Sequence, residues 1–126
     1  MLCLAVLAAG PAMAAGADEH TLDACVARAN GVDAEAAACY GAAIGKADAR
    51  MNRAYAHLRR PLEPAAFAKL QAAQRLWLQF RDADRAARTA SLGEAAGTLD
   101  VMMATSEEYD LVKSRADSLE SWLESL

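Results

Sequence analysis

The sequence contains few residues of the types that build β-sheets. Aromatic residues make up only 6% of the 126 residues, and valine, isoleucine and threonine are scarce. No alternating run of β-branched residues occurs, so nothing predicts a strand. Hydrophobic residues, many of them alanine, reach 55% and charged residues 24%, a balance that excludes a disordered chain. The length fits a single domain.

Motifs of catalysis and of nucleotide binding are also missing. The chain has no Gly-rich phosphate loop, no zinc-protease helix motif and no Gly-x-Ser-x-Gly elbow. Its two histidines, His20 and His57, have no metal-ligand spacing to a cysteine. We therefore expect no enzymatic activity, no catalytic residue, no cofactor and no metal.

The first 14 residues have the pattern of an export signal. An apolar run, Leu2 to Ala9, precedes a Gly10-Pro11 break, and Ala12-Met13-Ala14 matches an Ala-x-Ala cleavage site. The run is too short to span a bilayer as a helix. The alternative is a buried N-terminal helix. We predict a signal peptide at residues 1–14, a single domain at residues 15–126, and a periplasmic or secreted protein without a stable membrane anchor.

Removal of the signal leaves two cysteines, Cys25 and Cys39. An even number of cysteines in an exported protein indicates a disulfide. Thirteen residues separate them, and closing a loop of this size stabilises a protein by about 3 kcal/mol in the chain-entropy description. Metal binding is the alternative.

The spacing of apolar residues predicts helices throughout the domain. A short helix is expected from Leu22 to Ala29, with Thr21 as its N-cap and Asn30-Gly31 as its left-handed end. A second helix should begin after Asp33 and continue to about Arg59. Its predicted buried stripe consists of Ile44, Ala47, Met51, Tyr55 and Leu58.

Two further long helices are predicted on either side of a loop bounded by Gly93 and Gly97. The third helix begins near Pro64, and the fourth begins near Thr98. The third should bury Phe67, Leu70, Ala73, Trp77, Phe80, Ala83 and Ala87. The fourth should bury Leu99, Met102, Ser106, Tyr109, Val112, Ala116, Leu119 and Leu123. The prediction is an all-α, small antiparallel bundle of one short and three long helices with one disulfide, in which sequence neighbours pack side by side.

Charge is distributed unevenly along the chain. Residues 50–88 have a net charge of +6, residues 94–126 have −6, and residues 18–48 have −4. One interpretation is that the basic middle pairs with the acidic flanks. The other is that part of the acidic surface meets a cationic partner. The basic segment alone would suit nucleic acid, but export and the overall charge of −4 argue against that partner.

One segment of the predicted third helix resembles a known family. Ala73–Ala83, AQRLWLQFRDA, is similar to the AQR-x-W-x-x-FRDA signature of the LprI-like domain. Met51–Leu58, MNRAYAHL, resembles that family's LN-x-x-Y-x-x-L motif. Ala96-Gly97-Thr98 weakly resembles its GGS loop, and the two cysteines resemble its leading cysteine pair. The matching positions, which we interpret as structural first, are Met51, Asn52, Tyr55, Gln74, Arg75, Trp77, Phe80, Arg81 and Asp82.

The chain departs from this family where a second cysteine pair is usual. Those places hold Arg85 and Ser106. We expect Arg85 to meet Glu107 or Glu108 instead. An exposed ion pair contributes at most about 1 kcal/mol, against about 2–4 kcal/mol for a disulfide. The protein should therefore be less stable than a relative with two disulfides.

The resemblance implies a bacterial envelope protein that inhibits lysozyme or another muramidase, a small cationic hydrolase. The residues expected to form the partner surface are Glu94, Glu107, Glu108, Tyr109 and Asp110, and the Ser91–Thr98 loop should protrude. The alternative is a periplasmic interaction or immunity-type protein with a different protein partner and no inhibition of lysozyme. A third hypothesis is an enzyme that acts on peptidoglycan through His57 or Asp82.

Overall fold

The computed structural model describes residues 10–126. Within this range the chain forms four helices and no strand. They are α1 (Pro11–Ala29), α2 (Asp33–Leu58), α3 (Pro64–Leu92) and α4 (Thr98–Glu124). The predicted all-α bundle is confirmed. Residues 1–9 of the predicted signal peptide lie outside the described residues, so cleavage after Ala14 stays a prediction.

The first helix is longer than the sequence pattern indicated. It begins at Pro11 rather than near Leu22, because proline suits the first turn of a helix, where its missing N–H is not needed. Thr21 consequently lies inside α1, and its hydroxyl donates a hydrogen bond to the Ala17 carbonyl at 2.8 Å. It is not a cap. The predicted left-handed end is confirmed at Asn30-Gly31, where φ is 48° and 83°.

Helices α2 and α4 begin within one residue of their predicted starts. Asp33 and Thr98 are the first helical residues, and the N-cap positions are Val32 and Gly97. At α4 the cap depends on a neighbouring side chain, because the Gly97 N–H donates to the Asp100 carboxylate at 3.0 Å. An acidic group at this position also interacts favourably with the positive end of the helix dipole.

The core lies mainly between α2 and α4. Its largest fully buried side chains are Met51, Leu58, Val112 and Leu119. Alanines on both helices, such as Ala47 and Ala116, leave room for the two backbones to approach. The predicted stripes of α2 and α4 therefore face the core, except that Leu99, in the first turn of α4, is 51% exposed.

The helices do not pack strictly in sequence order. Consecutive helices are antiparallel as predicted, but the most extensive contact joins α2 and α4, which run in the same direction. Helix α1 packs on α2, and α3 packs less closely on α4. Helices α2 and α3 meet through side chains near their connecting turn, where the Tyr55 and Phe67 rings lie 5.5 Å apart.

Helix α3 shows a different face to the bundle from the one predicted. Leu70 and Gln74 are buried and Trp77 is half-buried, whereas Phe80 is 55% exposed. The predicted inward alanines, Ala73, Ala83 and Ala87, are also exposed. The difference arises because the second half of α3 contacts α4 through arginine and carboxylate side chains. An apolar periodicity cannot reveal contacts of this kind.

Candidate functional site

The connection between α3 and α4 forms one end of the bundle, beside the α1–α2 turn. Its loop, residues 93–97, carries the exposed Glu94. Leu99 and Met103, in the first turns of α4, are each 51% exposed. Together, residues 92–103 form what we call the α3–α4 tip. This surface combines an acidic side chain with apolar groups that no part of the described chain covers.

A groove of about 260 Å³ lies beneath the tip, between the last turns of α3 and the first turns of α4. Its apolar lining includes Leu92, Val101 and Leu111. Its charged lining consists of Arg81, Asp84, Arg85, Arg88 and Glu108. The groove exists because α3 and α4 are separated here by long polar side chains rather than by a packed apolar seam.

Two arginines of α3 neutralise acids of α4 along this groove. Arg85 donates to Glu108 through Nε, at 2.8 Å, and through Nη2. Arg88 donates through Nε to Asp84, at 2.7 Å, and through Nη1 to Glu107. The hydrogen bonds that Arg85 donates to Glu108 and that Arg88 donates to Asp84 raise the pKa of each guanidinium. The expected contact of Arg85 is confirmed with Glu108, and the pairs support the interpretation that the basic middle pairs with the acidic flanks.

The residues expected to form the partner surface are thus placed differently from one another. Glu94 and Asp110 are exposed and have no ion pair within residues 10–126. Glu107 and Glu108 are paired with Arg88 and Arg85. Tyr109 is 7% exposed and packs against the Tyr40 ring at 6.0 Å, and burial raises the pKa of its hydroxyl. Tyr109 therefore belongs to the core and not to a contact surface.

Several signature residues join α3 to its neighbours. The buried Gln74 accepts a hydrogen bond from Arg115 Nε at 2.9 Å, and burial lowers the pKa of that arginine. The guanidinium carbons of Arg81 and Arg115 lie 5.7 and 6.0 Å from the centre of the Trp77 ring, within cation–π range. Arg81 also donates to Asp48 on α2 at 3.3 Å. These contacts give the three signature residues a structural role.

The signature residues of α2 are structural as well. Met51 is fully buried, and Tyr55 contacts the ring of Phe67. Asn52 is exposed and donates to Asp48, one turn earlier, at 3.2 Å. This part of the motif shapes α2 and its packing and offers no group for chemistry.

The remaining signature residues lie on the outer side of α3. Asp82 accepts hydrogen bonds from its neighbour Arg81 at 3.1 Å, and 62% of its side chain is exposed. Arg75 is exposed, and so is Phe80. Packing within the described chain does not explain these three positions.

The predicted disulfide is confirmed. Cys25 of α1 is bonded to Cys39 of α2, with their Cα atoms 5.8 Å apart. The bond lies in a small apolar cluster with Leu22, Ala43 and Tyr109. It therefore fixes the C-terminal half of α1 on the bundle.

Charges without a partner are separated between the two ends of the bundle. At the tip end, Asp33, Glu35 and Glu94 form no ion pair within residues 10–126, and neither does Arg28. At the opposite end the unpaired groups are the basic residues Arg53, Arg59, Arg60 and Lys69 and the acidic residues Glu63 and Glu124, a net excess of two positive charges. Net charges of sequence segments did not reveal this separation, because they count paired and unpaired groups alike.

Residues 10–126 contain neither a cluster of metal ligands nor a helix suited to crossing a membrane. No group of three or more His, Cys, Asp or Glu side chains is placed to hold a metal ion. None of the helices described is both long and apolar enough to cross a membrane.

Comparison with known proteins gives one match. The family model described as "Lysozyme inhibitor LprI" matches residues 25–119, from the first cysteine of the disulfide to the buried Leu119 of α4. No curated protein and no solved structure matched the chain. The matched range includes the disulfide, the α2 and α3 motifs and the α3–α4 tip, and it covers most of the sequence. The chain belongs to the lysozyme inhibitor LprI family.

Proposed function

We propose that this protein is an exported inhibitor of a lysozyme-type cell-wall hydrolase. Membership of the LprI family is the observation that carries the proposal. The matched range includes the disulfide, all of α2 and α3, and α4 as far as Leu119. A periplasmic or secreted location agrees with the Cys25–Cys39 bond, since disulfides form and persist in oxidising compartments.

We further propose that the α3–α4 tip contacts the hydrolase. An acidic end attracts a cationic enzyme, and the exposed Glu94 and Glu35 supply charges there that make no ion pair within the described chain. The exposed side chains of Leu99 and Met103 supply apolar area that contact with a partner would remove from water. An exposed end of this kind, with both acidic and apolar groups, can occupy a substrate cleft and exclude the polysaccharide.

An assay of cell-wall lysis tests this function directly. Purified protein is mixed with a cationic lysozyme, and the clearing of a cell-wall suspension is followed. We expect suppression as the two proteins approach equimolar amounts, and weaker suppression at high salt, because salt screens attraction between exposed charges. Unchanged lysis at a large excess of the protein would refute the proposal. Capture of a different envelope protein by the same tip would then favour the alternative, an interaction protein that does not inhibit lysozyme.

A further inference from the structure

The two halves of α3 are attached to the bundle by different kinds of contact. In the first half, Leu70 lies in the main core cluster and Leu78 packs against that cluster. Gln74 is the last buried residue of α3, and no later residue is buried until Tyr109, in the middle of α4. The second half of α3, residues 79–92, therefore has no place in the core. We call these residues the α3 arm.

The face that the α3 arm turns toward the bundle is polar. Only four of its side chains are partly shielded from solvent, and three of the four are charged. They are Arg81, Asp84, Arg88 and Leu92. All four line the groove between the arm and α4, so no packed apolar seam joins the two helices here. Packing of an apolar face supplies most of the stability of a helix in a protein, and the arm has little of it.

Ion pairs with other helices hold the arm in place. Within the described chain they are Arg81–Asp48, with α2, at 3.3 Å, and Arg85–Glu108 and Arg88–Glu107, with α4. The side chains of Arg85 and Arg88 are 50% and 42% exposed. An exposed ion pair shifts an equilibrium by at most about fivefold, and salt weakens it. These contacts hold the arm less firmly than burial holds the first half of α3.

We propose that the α3 arm opens locally: it separates from α4 and loses its helical hydrogen bonds while the rest of the bundle stays folded. Segments with few buried apolar contacts and an exposed backbone open at a lower free energy than the core. The outer side of the arm meets no other helix, since Phe80, Ala83 and Ala87 are exposed. Outward movement is therefore unobstructed.

Opening of the arm has a consequence for the α3–α4 tip. The tip continues directly from the arm through Gly93, whose φ of 67° is a conformation that glycine adopts without strain. Each opening therefore also releases the tip from its position beside α4, and the tip can change shape without loss of the core. This inference goes beyond the proposed function and does not depend on it, because it concerns the protein without a partner.

Hydrogen exchange of the purified protein, followed by mass spectrometry, tests the opening. We expect amides of residues 83–92 to exchange at least about 100-fold faster than those of residues 68–78, and with similar protection throughout, because the segment opens as a unit. Added salt should speed exchange in the arm alone. Equal protection of the two ranges would overturn the proposal. So would protection that declines steadily toward Leu92, which is ordinary fraying of a helix end.

The ion pairs with α4 have their own test. Arg85→Ala combined with Arg88→Ala should speed exchange in the arm about tenfold and leave residues 68–78 unchanged. Arginine and alanine are both good helix formers, so faster exchange reports the lost contacts. Arg53→Ala with Arg60→Ala removes two exposed arginines that form no ion pair in the described chain, and this control should not affect the arm. Unchanged exchange in the first variant would refute the role of the pairs.

Proline substitutions separate local opening from unfolding of the whole bundle. Proline inside a helix removes a backbone hydrogen bond and clashes with the preceding turn. Ala86→Pro, at an exposed position of the arm, should abolish protection of the arm but shift the urea midpoint of the remaining bundle only slightly. Ala72→Pro, at an exposed position of the first half, is the matched control and should lower that midpoint strongly. Equal shifts would show that the arm unfolds together with the core, contrary to the proposal.

Discussion

Arg50 of α2 and Glu120 of α4 form a two-point ion pair inside the bundle. Arg50 donates through Nε to one carboxylate oxygen at 3.0 Å and through Nη2 to the other at 2.5 Å. The residues are 2% and 8% exposed. Burial alone would lower the pKa of Arg50, but hydrogen bonds and charge attraction from Glu120 and Asp117 outweigh it and raise the pKa. Arg50 stays charged, so the core depends on its carboxylate partners.

Removal of one partner should therefore destabilise the bundle strongly. We expect Glu120→Ala to lower the free energy of unfolding by about 3 kcal/mol, because the Arg50 charge remains buried with fewer partners. Replacement of both residues by apolar ones, Arg50→Met with Glu120→Leu, should recover most of this loss. Urea denaturation followed by circular dichroism measures both. A double variant as unstable as the single one would contradict the argument.

The ion pairs of Asp117 with Arg50 and Lys113 make the stability of the fold depend on pH. Burial alone would raise the pKa of Asp117, but hydrogen bonds from Lys113, at 2.7 Å, and Arg50, at 2.5 Å, lower it below the ordinary 3.8. Since the folded pKa is the lower one, the stabilisation is complete above the unfolded pKa. It is lost as the pH falls from about 4 through the folded value.

Asp117→Asn should remove this part of the acid dependence. Unfolding free energies of both proteins, measured from neutral pH downwards, should converge at low pH. The Asp117 side chain is 38% exposed, so added salt should reduce the difference by screening. If the two curves stay parallel, other carboxyl groups cause the loss of stability at low pH.

The disulfide should reinforce the apolar packing of α1 on α2. The ion pairs of α1 to the rest of the bundle, Glu19 with Lys113 at 2.8 Å and Asp18 with Lys46 at 4.0 Å, involve partly exposed side chains and contribute little. Reduction, or replacement of both cysteines by serine, should lower the free energy of unfolding by about 3 kcal/mol. Hydrogen exchange should speed up first in α1. Equal protection of α1 before and after reduction would contradict this role.

Sequence patterns predicted α2 and α4 well because large apolar residues occur there at nearly every turn. Met51 and Leu58 on α2, and Val112 and Leu119 on α4, are all fully buried. The Asn30-Gly31 end of α1 was also predictable, because left-handed conformations favour these two residue types. In these places local preference and tertiary packing lead to the same structure.

Helix α3 and the partner surface could not be predicted in this way. Periodicity treated alanine and Phe80 as core residues, whereas α3 contacts its neighbours through Gln74, Arg81 and Arg85. Side-chain hydrogen bonds between helices leave no regular pattern in the sequence. For the same reason the acids of α4 looked available to a partner, although Glu108 is bound by Arg85.

Arg85 should be much less important for stability than Arg50. Half of the Arg85 side chain is exposed, and exposed ion pairs contribute at most about 1 kcal/mol. We expect Arg85→Ala to cost no more than that, whereas Arg50→Ala should cost several times as much. Denaturation of the two variants side by side measures the ratio. A large loss for Arg85→Ala would show that the groove between α3 and α4 is a rigid part of the fold.

The α3–α4 tip should determine inhibition rather than stability. Glu94→Lys combined with Leu99→Asp reverses a charge and removes an apolar contact, at exposed positions that do not support the core. We expect the concentration needed for half-suppression of lysis to rise at least tenfold, equivalent to a loss of about 1.4 kcal/mol of binding free energy. Glu124→Lys with Leu126→Asp makes the same chemical changes at the opposite end and serves as the control. Both double variants change the net charge of the protein by the same amount. If both lose inhibition equally, the overall charge, and not the tip, attracts the hydrolase.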